Sequence, residues 1–489
     1  MKIEPNITIA KIAKNLGEGK ISSVEICNHY LENFTKKNSV FNAILSINKE
    51  KILKSAEESD KRRKEGKVLS SYDGIPIAIK DNLCVEDEPC TCASKILEGF
   101  ISPYDATVIK KIKAAGMIPF GRTNMDEFAM GSSCENSAYV KTRNPWDKDR
   151  VPGGSSGGSA ASVALSIAPA ALGSDTGGSI RQPAAFCGVV GLKPSYGIVS
   201  RYGLVAFASS LDQIGPFTNS VLDSAIVLDI IKGKDPMDCT SIDSKIANFA
   251  ELLSQPYSID GLRIGIPSEC INCEGLDNVI KENFNESINL LKGLGAKIIE
   301  ISFPHWKYSV SVYYVIATAE ASANLARFDG IRYGLRAKTE KLSEIYLESR
   351  GLGFGEEVKR RILLGTFVLS SGYYDAYYRS AQKVRTLIRK DYDEAFKICD
   401  VILTPVTPTP PFTFNSKSTP LQMYLSDIFT ISVNLAGNCA ISVPSGITSD
   451  NLPLGVQFTA GFMREDILLK TSHIFELHRS IKSFIPPEN

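Results

Sequence analysis

Two stretches of paired glycines and serines limit the possible folds of this chain more than any other feature. They are Pro152-Gly153-Gly154-Ser155-Ser156-Gly157-Gly158-Ser159 and Gly173-Ser174-Asp175-Thr176-Gly177-Gly178-Ser179-Ile180-Arg181. Glycine and serine richness ordinarily marks a flexible linker. Here each stretch is short and runs directly into apolar, alanine-rich sequence, 160–172 after the first and 184–190 after the second, so both are expected to be loops embedded in a core. Glycine lacks a Cβ and reaches backbone conformations closed to other residues, which lets successive N–H groups converge on an anion or a developing oxyanion. The hydroxyls set among them are then candidate nucleophiles.

Other uses of such loops fit less well. A phosphate-binding loop needs a Gly-Lys-Ser/Thr ending, and neither stretch has one. Gly153-Gly154-Ser155-Ser156-Gly157 formally matches the nucleophile elbow G-x-S-x-G, but that elbow follows directly on a strand. Residues 144–150, with Asn144, Pro145, Asp147 and Arg150, are polar and broken by proline. The elbow also works with a histidine base, and His29, His305, His473 and His478 all lie outside segments that resemble a site.

Around these loops the pattern alternates. Ile75-Pro76-Ile77-Ala78-Ile79 predicts a short buried strand, and 105–115 predicts a helix leading to a second strand before Gly121. The alternation continues through 159–172 and 262–267, which argues for an α/β architecture with a largely covered sheet. The first seventy or so residues read as a helical arm packing on the core, with a capping box at Ser22-Ser23-Val24-Glu25 and Val24, Cys27, Leu31 and Phe34 at helical spacing. This divides the chain into an arm, 1–70, and a domain, 71–489. Lys61-Arg62-Arg63-Lys64, beside Glu57, Glu58 and Asp60, predicts a solvated helix end. Five prolines from Pro405 to Pro420 predict a long loop over 404–420. Tyr373, Tyr374, Tyr377 and Tyr378 are expected to pack as the apolar face of a helix.

Composition narrows the function. With 55 Lys and Arg against 54 Asp and Glu the formal net charge is +1, so any nucleic acid is expected to be held mainly elsewhere. No run of about 18 apolar residues occurs and the N-terminal residues lack the apolar core of a secretory signal. Eleven cysteines, an odd number, suit reduced thiols. A soluble intracellular protein is expected, with no membrane contact. Neither Cys270-Ile271-Asn272-Cys273 nor the group Cys84, Cys90 and Cys92 has the second ligand pair of a structural zinc site, so no metal is expected.

Without histidine, a serine nucleophile needs another base, and a lysine kept neutral in a desolvated pocket can serve. Lys80 ends the apolar run 75–79, where burial disfavours its charge. Holding an ordinary lysine neutral at pH 7 costs about 4 to 5 kcal/mol, which the pocket must supply. A lone lysine at a strand end is otherwise a surface cation.

Taken together, these residues resemble the amidase-signature family. Lys80 in Gly74-Ile75-Pro76-Ile77-Ala78-Ile79-Lys80-Asp81-Asn82, Ser155 in the first loop and Ser179 in the second are similar to its Ser-cisSer-Lys triad. The likeness continues through 181–188 and through 124–131, 200–216 and 353–361. Ile198 stands where the family often has Arg, and Asn438-Cys439 where Leu-Pro is usual. Within the family the likeness is greatest to the glutaminase subunits of tRNA-dependent amidotransferases.

The resemblance implies one large amidase-signature domain, a mixed central sheet covered by helices on both faces. It implies a cis peptide at Ser155, and a neutral Lys80 that acts through Ser155 on the nucleophile Ser179. It also implies an oxyanion hole formed by the N–H groups of Thr176, Gly177, Gly178 and Ser179. Arg360 and Asp427 would meet the α-carboxylate and α-ammonium of glutamine. Two partner chains, the B and C subunits, would complete a heterotrimer in which the former uses ATP and Mg on Glu-tRNA(Gln) or Asp-tRNA(Asn), leaving no cofactor in this chain. The expected place is the cytoplasm, of bacterial type, or an organelle matrix. A free-standing amidase acting on another small carboxamide and a non-enzymatic scaffold are the competing readings.

Overall fold

The structure, a computed structural model, describes residues 3–244, 246, 248–417 and 419–487. Eleven strands form one sheet: β1 (Ile44–Ser46), β2 (Pro76–Lys80), β3 (Ile118–Thr123), β4 (Ala170–Asp175), β5 (Val190–Lys193), β6 (Gln213–Thr218), β7 (Arg263–Pro267), β8 (Lys297–Ile301), β9 (Val401–Pro405), β10 (Cys439–Ile447) and β11 (Pro453–Ala460). Their order is β1-β3-β2-β4-β6-β5-β10-β11-β9-β7-β8. The sheet is mixed. β2 runs parallel to both β3 and β4, and β7 to both β8 and β9, while the strands between these groups are antiparallel.

Helices cover both faces. The period of two along a strand sends alternate side chains to opposite sides, and β9 shows it: Val401 and Leu403 join one apolar core while Ile402 joins the other. A sheet buried on both sides explains why strands such as β2 read as continuous apolar runs rather than alternating ones. The α/β expectation holds, as do the strands expected at 75–79 and 262–267 and the helix expected within 105–115, seen at Thr107–Ala114.

The N-terminal arm departs from its expected form. Its helices Ile9–Gly17, Ser23–Phe41 and Lys49–Lys64 are present, and Ser22 and Glu25 form the capping box. Yet the arm is not purely helical, because β1 pairs antiparallel with β3 and so extends the central sheet at its edge. The basic helix end is also more than a solvated tip: Arg62 forms a two-point ion pair with the buried Asp73, at 2.6 and 2.9 Å. Residues 374–379 form a π-helical turn; Tyr373, Tyr374 and Tyr377 are exposed, yet their rings pack on neighbours as expected, Tyr373 on Phe367 at 4.3 Å and Tyr374 on Tyr378 at 5.3 Å between centroids.

The first glycine–serine segment leads into helix Gly157–Ala164, all eight residues of which are buried. A Cβ on Gly158 would fall 2.4 Å from the Asn124 carbonyl oxygen, so only glycine allows the helix to approach that backbone. The second segment continues from β4 and turns into helix Arg181–Cys187. Both loops are therefore core structure, as expected, and they meet where Ser156 N donates to Ser179 O at 3.3 Å.

Candidate active site

β2 ends on Lys80, and the isoleucines at 75, 77 and 79 are fully buried and fix the strand in the core. Its neighbour β4 runs parallel to it in the register Ile79↔Leu172, which brings Ser174 alongside the lysine. Lys80 is 0% exposed. Its Nζ lies 2.7 Å from Ser156 Oγ, 2.8 Å from Ser155 Oγ and 3.0 Å from Ser174 Oγ. No carboxylate stands within ion-pair distance of it among the described residues. Burial lowers the amine from its ordinary value of 10.5 to about 7, against the weaker pull of Asp126, Cys134, Asp175 and Asp212. The desolvation expected at this lysine is thus supplied by the strand that carries it.

Ser155 is also 0% exposed, and the Gly154–Ser155 peptide is cis. Ser179, at 8%, is the only one of the three with open surface, as a group that must meet a substrate requires. Beside it the turn is organised by Asp175. That carboxylate accepts the N–H of Gly178 at 2.8 Å and of Ile180 at 3.1 Å, and a two-point pair from Arg181 at 2.9 and 3.0 Å. Burial pushes such an acid up, but the Arg181 guanidinium holds Asp175 well below the usual carboxylate range. Arg181 is anchored in turn to Thr430 O, Gln457 and Asn434.

Of the four N–H groups expected to form an oxyanion hole, that of Gly178 is taken by Asp175, whereas those of Thr176, Gly177 and Ser179 have no acceptor among the described residues. The glycines are required for packing. Gly178 has φ +138° and a Cβ there would fall 2.2 Å from Thr430 Oγ1; a Cβ on Gly177 would fall 2.7 Å from the Tyr313 ring.

Asp427 lies beside this turn, its Oδ1 3.4 Å from where a Gly178 Cβ would stand. Its Oδ2 accepts from Ser132 Oγ, while Oδ1 is buried with no partner among the described residues. Burial raises its carboxyl to about 7. An acid held this way lacks a cation, and a substrate ammonium would complete it.

Arg360, the residue expected to meet a carboxylate, is 45% exposed and pairs with Glu357 on its own helix, Glu356–Val368. Arg361 is 3% exposed and turns inward. Its guanidinium lies 5.1 Å from the Tyr314 ring centroid and 5.5 Å from those of Phe207 and Tyr424, and its Nε donates to Glu357 Oε1 at 2.8 Å. Tyr314 and Tyr424 stack at 3.7 Å, and Tyr313 lies against Gly177. The two terminal nitrogens of Arg361 have no hydrogen-bond partner among the described residues.

Sequence reasoning missed Ser156, Ser174, Asp175 and Asn82, whose Nδ2 donates to Ser174 Oγ at 3.0 Å. All four lie within the quoted motifs, so the signal was present but their individual duties were not. His305, His473 and His478 pair with Asp391, Glu476 and Ile474 O, and His29 contacts Asn33, so none joins the site.

The family model described as Amidase matches residues 25–469. A protein of Prochlorococcus marinus, named as the A subunit of glutamyl-tRNA(Gln) amidotransferase, is 51% identical over 482 residues, covering 98% of this chain and 99% of its own. A protein of the same name from Carboxydothermus hydrogenoformans is 53% identical, covering 96% of each. Among solved structures, the A subunit of glutamyl-tRNA(Gln) amidotransferase from Thermotoga maritima superposes with a TM-score of 0.81 at 42% identity, over 98% of this chain and 97% of that one. Native peptide amidase from Stenotrophomonas maltophilia superposes with a TM-score of 0.84 at 26% identity, over 98% of each.

Proposed function

This chain belongs to the amidase family, and from that premise we propose that it is the glutamine-hydrolysing subunit of a tRNA-dependent amidotransferase. The observation that carries the reading is the fully buried Lys80 amine, in contact with three hydroxyls and no carboxylate. A base of this kind activates serine toward a carboxamide.

The hydrogen bonds around Lys80 support a direction for the proton. Ser156 Oγ donates to Ser174 O at 3.1 Å, which commits its proton and leaves it an acceptor for a Lys80 N–H. Ser174 Oγ accepts from Asn82 Nδ2 and takes the second N–H. The lone pair of a neutral amine then faces Ser155 Oγ. Ser155 passes its proton to Lys80 and takes one from Ser179, whose Oγ attacks the carboxamide carbon. The N–H groups of Thr176, Gly177 and Ser179 hold the oxyanion. Collapse returns the proton to the leaving nitrogen, releases ammonia and leaves a γ-glutamyl ester on Ser179, which water cleaves by the same relay. Arg361 and Asp427 complement the α-carboxylate and α-ammonium, as an amino-acid amide requires and a generic carboxamide does not.

In this reading ammonia passes to the partner B subunit, where ATP and Mg activate Glu-tRNA(Gln) or Asp-tRNA(Asn), with the small C subunit bracing the pair. This chain itself uses no cofactor. It works in the cytoplasm or an organelle matrix; among the described residues no helix is long and apolar enough to cross a membrane. The test is ammonia release from glutamine by the chain with its partners, with and without mischarged tRNA and ATP. A tRNA-dependent rise is expected. Cleavage of unrelated amides with glutamine left intact would instead mark a free-standing amidase.

A further inference from the structure

One loop that the mechanism leaves without a role touches both ends of the site. Asp126 follows β3 and is fully buried. Its carboxylate accepts three backbone N–H groups of the loop that folds round it: Oδ1 from Asn136 at 3.1 Å, and Oδ2 from Cys134 at 2.9 Å and Ser133 at 3.3 Å. Its own N–H donates to Ser155 O at 3.1 Å. A Cβ on Gly154 would fall 2.1 Å from Asp126 Oδ2, so the carboxylate sits against the peptide that carries Ser155. The same loop presents Ser132, whose Oγ donates to Asp427 Oδ2 and whose carbonyl accepts Gln182 Nε2 at 2.8 Å.

The titratable groups that act on Lys80 through space from the surrounding elements are Asp126, Cys134, Asp175 and Asp212. Asp175 is neutralised by Arg181. Burial pushes the Cys134 thiol up to about 12, so it stays uncharged. Asp212 is occupied by Thr176 Oγ1 at 2.7 Å and by the N–H groups of Phe207 and Ala208. Asp126 and Asp212 have no cation within ion-pair distance among the described residues, and of the two only Asp126 also holds the peptide of Ser155.

We propose that Asp126 is a positioning residue: its backbone N–H holds the Ser155 peptide, while its buried carboxylate packs against Gly154, pulls on the Lys80 amine through space and, through the loop folded round it, sets the Ser132–Asp427 contact. The inference rests on the triad and on the part given to Asp427 above. It ties the proton relay to the receptor for the substrate's ammonium through a loop that carries none of the triad.

The experiment is the pH dependence of kcat and KM for Asp126→Asn, in the chain assembled with its partners. Asparagine keeps the shape and loses the charge. With that charge gone the protonated amine of Lys80 is harder to hold, so the acid limb of kcat, which the effect of Asp427 on KM does not enter, is expected to move to lower pH by about one unit, while plateau kcat falls about tenfold or more. Ser132→Ala is expected to raise KM about tenfold and leave the acid limb of kcat in place. A merely architectural part for Asp126 would lower activity without moving the limb, and that result overturns the proposal. If Asp126→Asn fails to accumulate, neutron diffraction from the wild type at about pH 8 decides: a bare Asp126 carboxylate supports the proposal and a protonated one ends it. The profile is read on whichever carboxamide the wild type cleaves, so failure of glutamine as a substrate would strike the proposed function and the Ser132 arm, while the acid limb of Asp126→Asn still decides the part given to Asp126.

Discussion

Replacing Lys80 with methionine removes a proton that folding expels. In the unfolded chain the amine has its ordinary value of 10.5, and burial lowers it to about 7 in the folded protein. Between those values the unfolded state binds a proton that the folded state does not, so stability rises with pH across this window. The destabilising contribution is complete below about pH 7 and vanishes above about 10.5. At about 1.36 kcal/mol per unit the full span is on the order of 5 kcal/mol, and the part between pH 7 and 9 comes to about 2 kcal/mol once the half-protonated native amine is allowed for. Methionine also strips a partner from Ser155, Ser156 and Ser174, but that loss does not depend on pH and cancels from the slope. Unfolding the wild type and Lys80→Met in denaturant at about pH 8.5 on a pH-stat reads the difference directly: the wild type is expected to take up about one proton more. Equal uptake would mean that Lys80 is charged in the native protein, and the reasoning from burial to base would be refuted.

Three further outcomes follow from the same geometry. Ser179→Ala is expected to cut ammonia release by about 10³-fold or more while leaving the fold intact, and to abolish the glutamyl adduct that mass spectrometry detects on the wild type. Arg361→Ala is expected to raise the glutamine KM by about tenfold or more, whereas Arg360→Ala, which removes a half-exposed ion pair, changes it little; steady-state kinetics on the two variants separates them. Because burial raises Asp427 to about 7, the charged form that meets an ammonium is lost as pH falls through that value, so KM is expected to rise below about pH 7 in the wild type and to lose this dependence in Asp427→Asn.

What the sequence by itself determined was local and chemical. An apolar run ending in lysine predicted β2 and its dry terminus, because a strand covered on both faces must be apolar throughout. Paired glycines followed by alanine-rich sequence predicted buried loops rather than linkers, and the Ser22–Glu25 capping box lies where its spacing placed it. Lys80 was legible as a candidate base because few residue types can activate a serine without histidine, while its grouping with Ser155 and Ser179 came from the resemblance to the amidase-signature family.

Tertiary packing decided which neighbour faces the site. Arg360 and Arg361 are indistinguishable in a string, yet consecutive residues on a helix point about 100° apart, and only the folded chain shows that the second is the one packed inward on Tyr314 and Tyr424. The Gly178 N–H was a reasonable oxyanion donor until Asp175 claimed it. β1 joined the sheet because β3 had a free edge to pair. The open oxygen of Asp427 has no signature in sequence, since a missing partner is a property of everything folded around it.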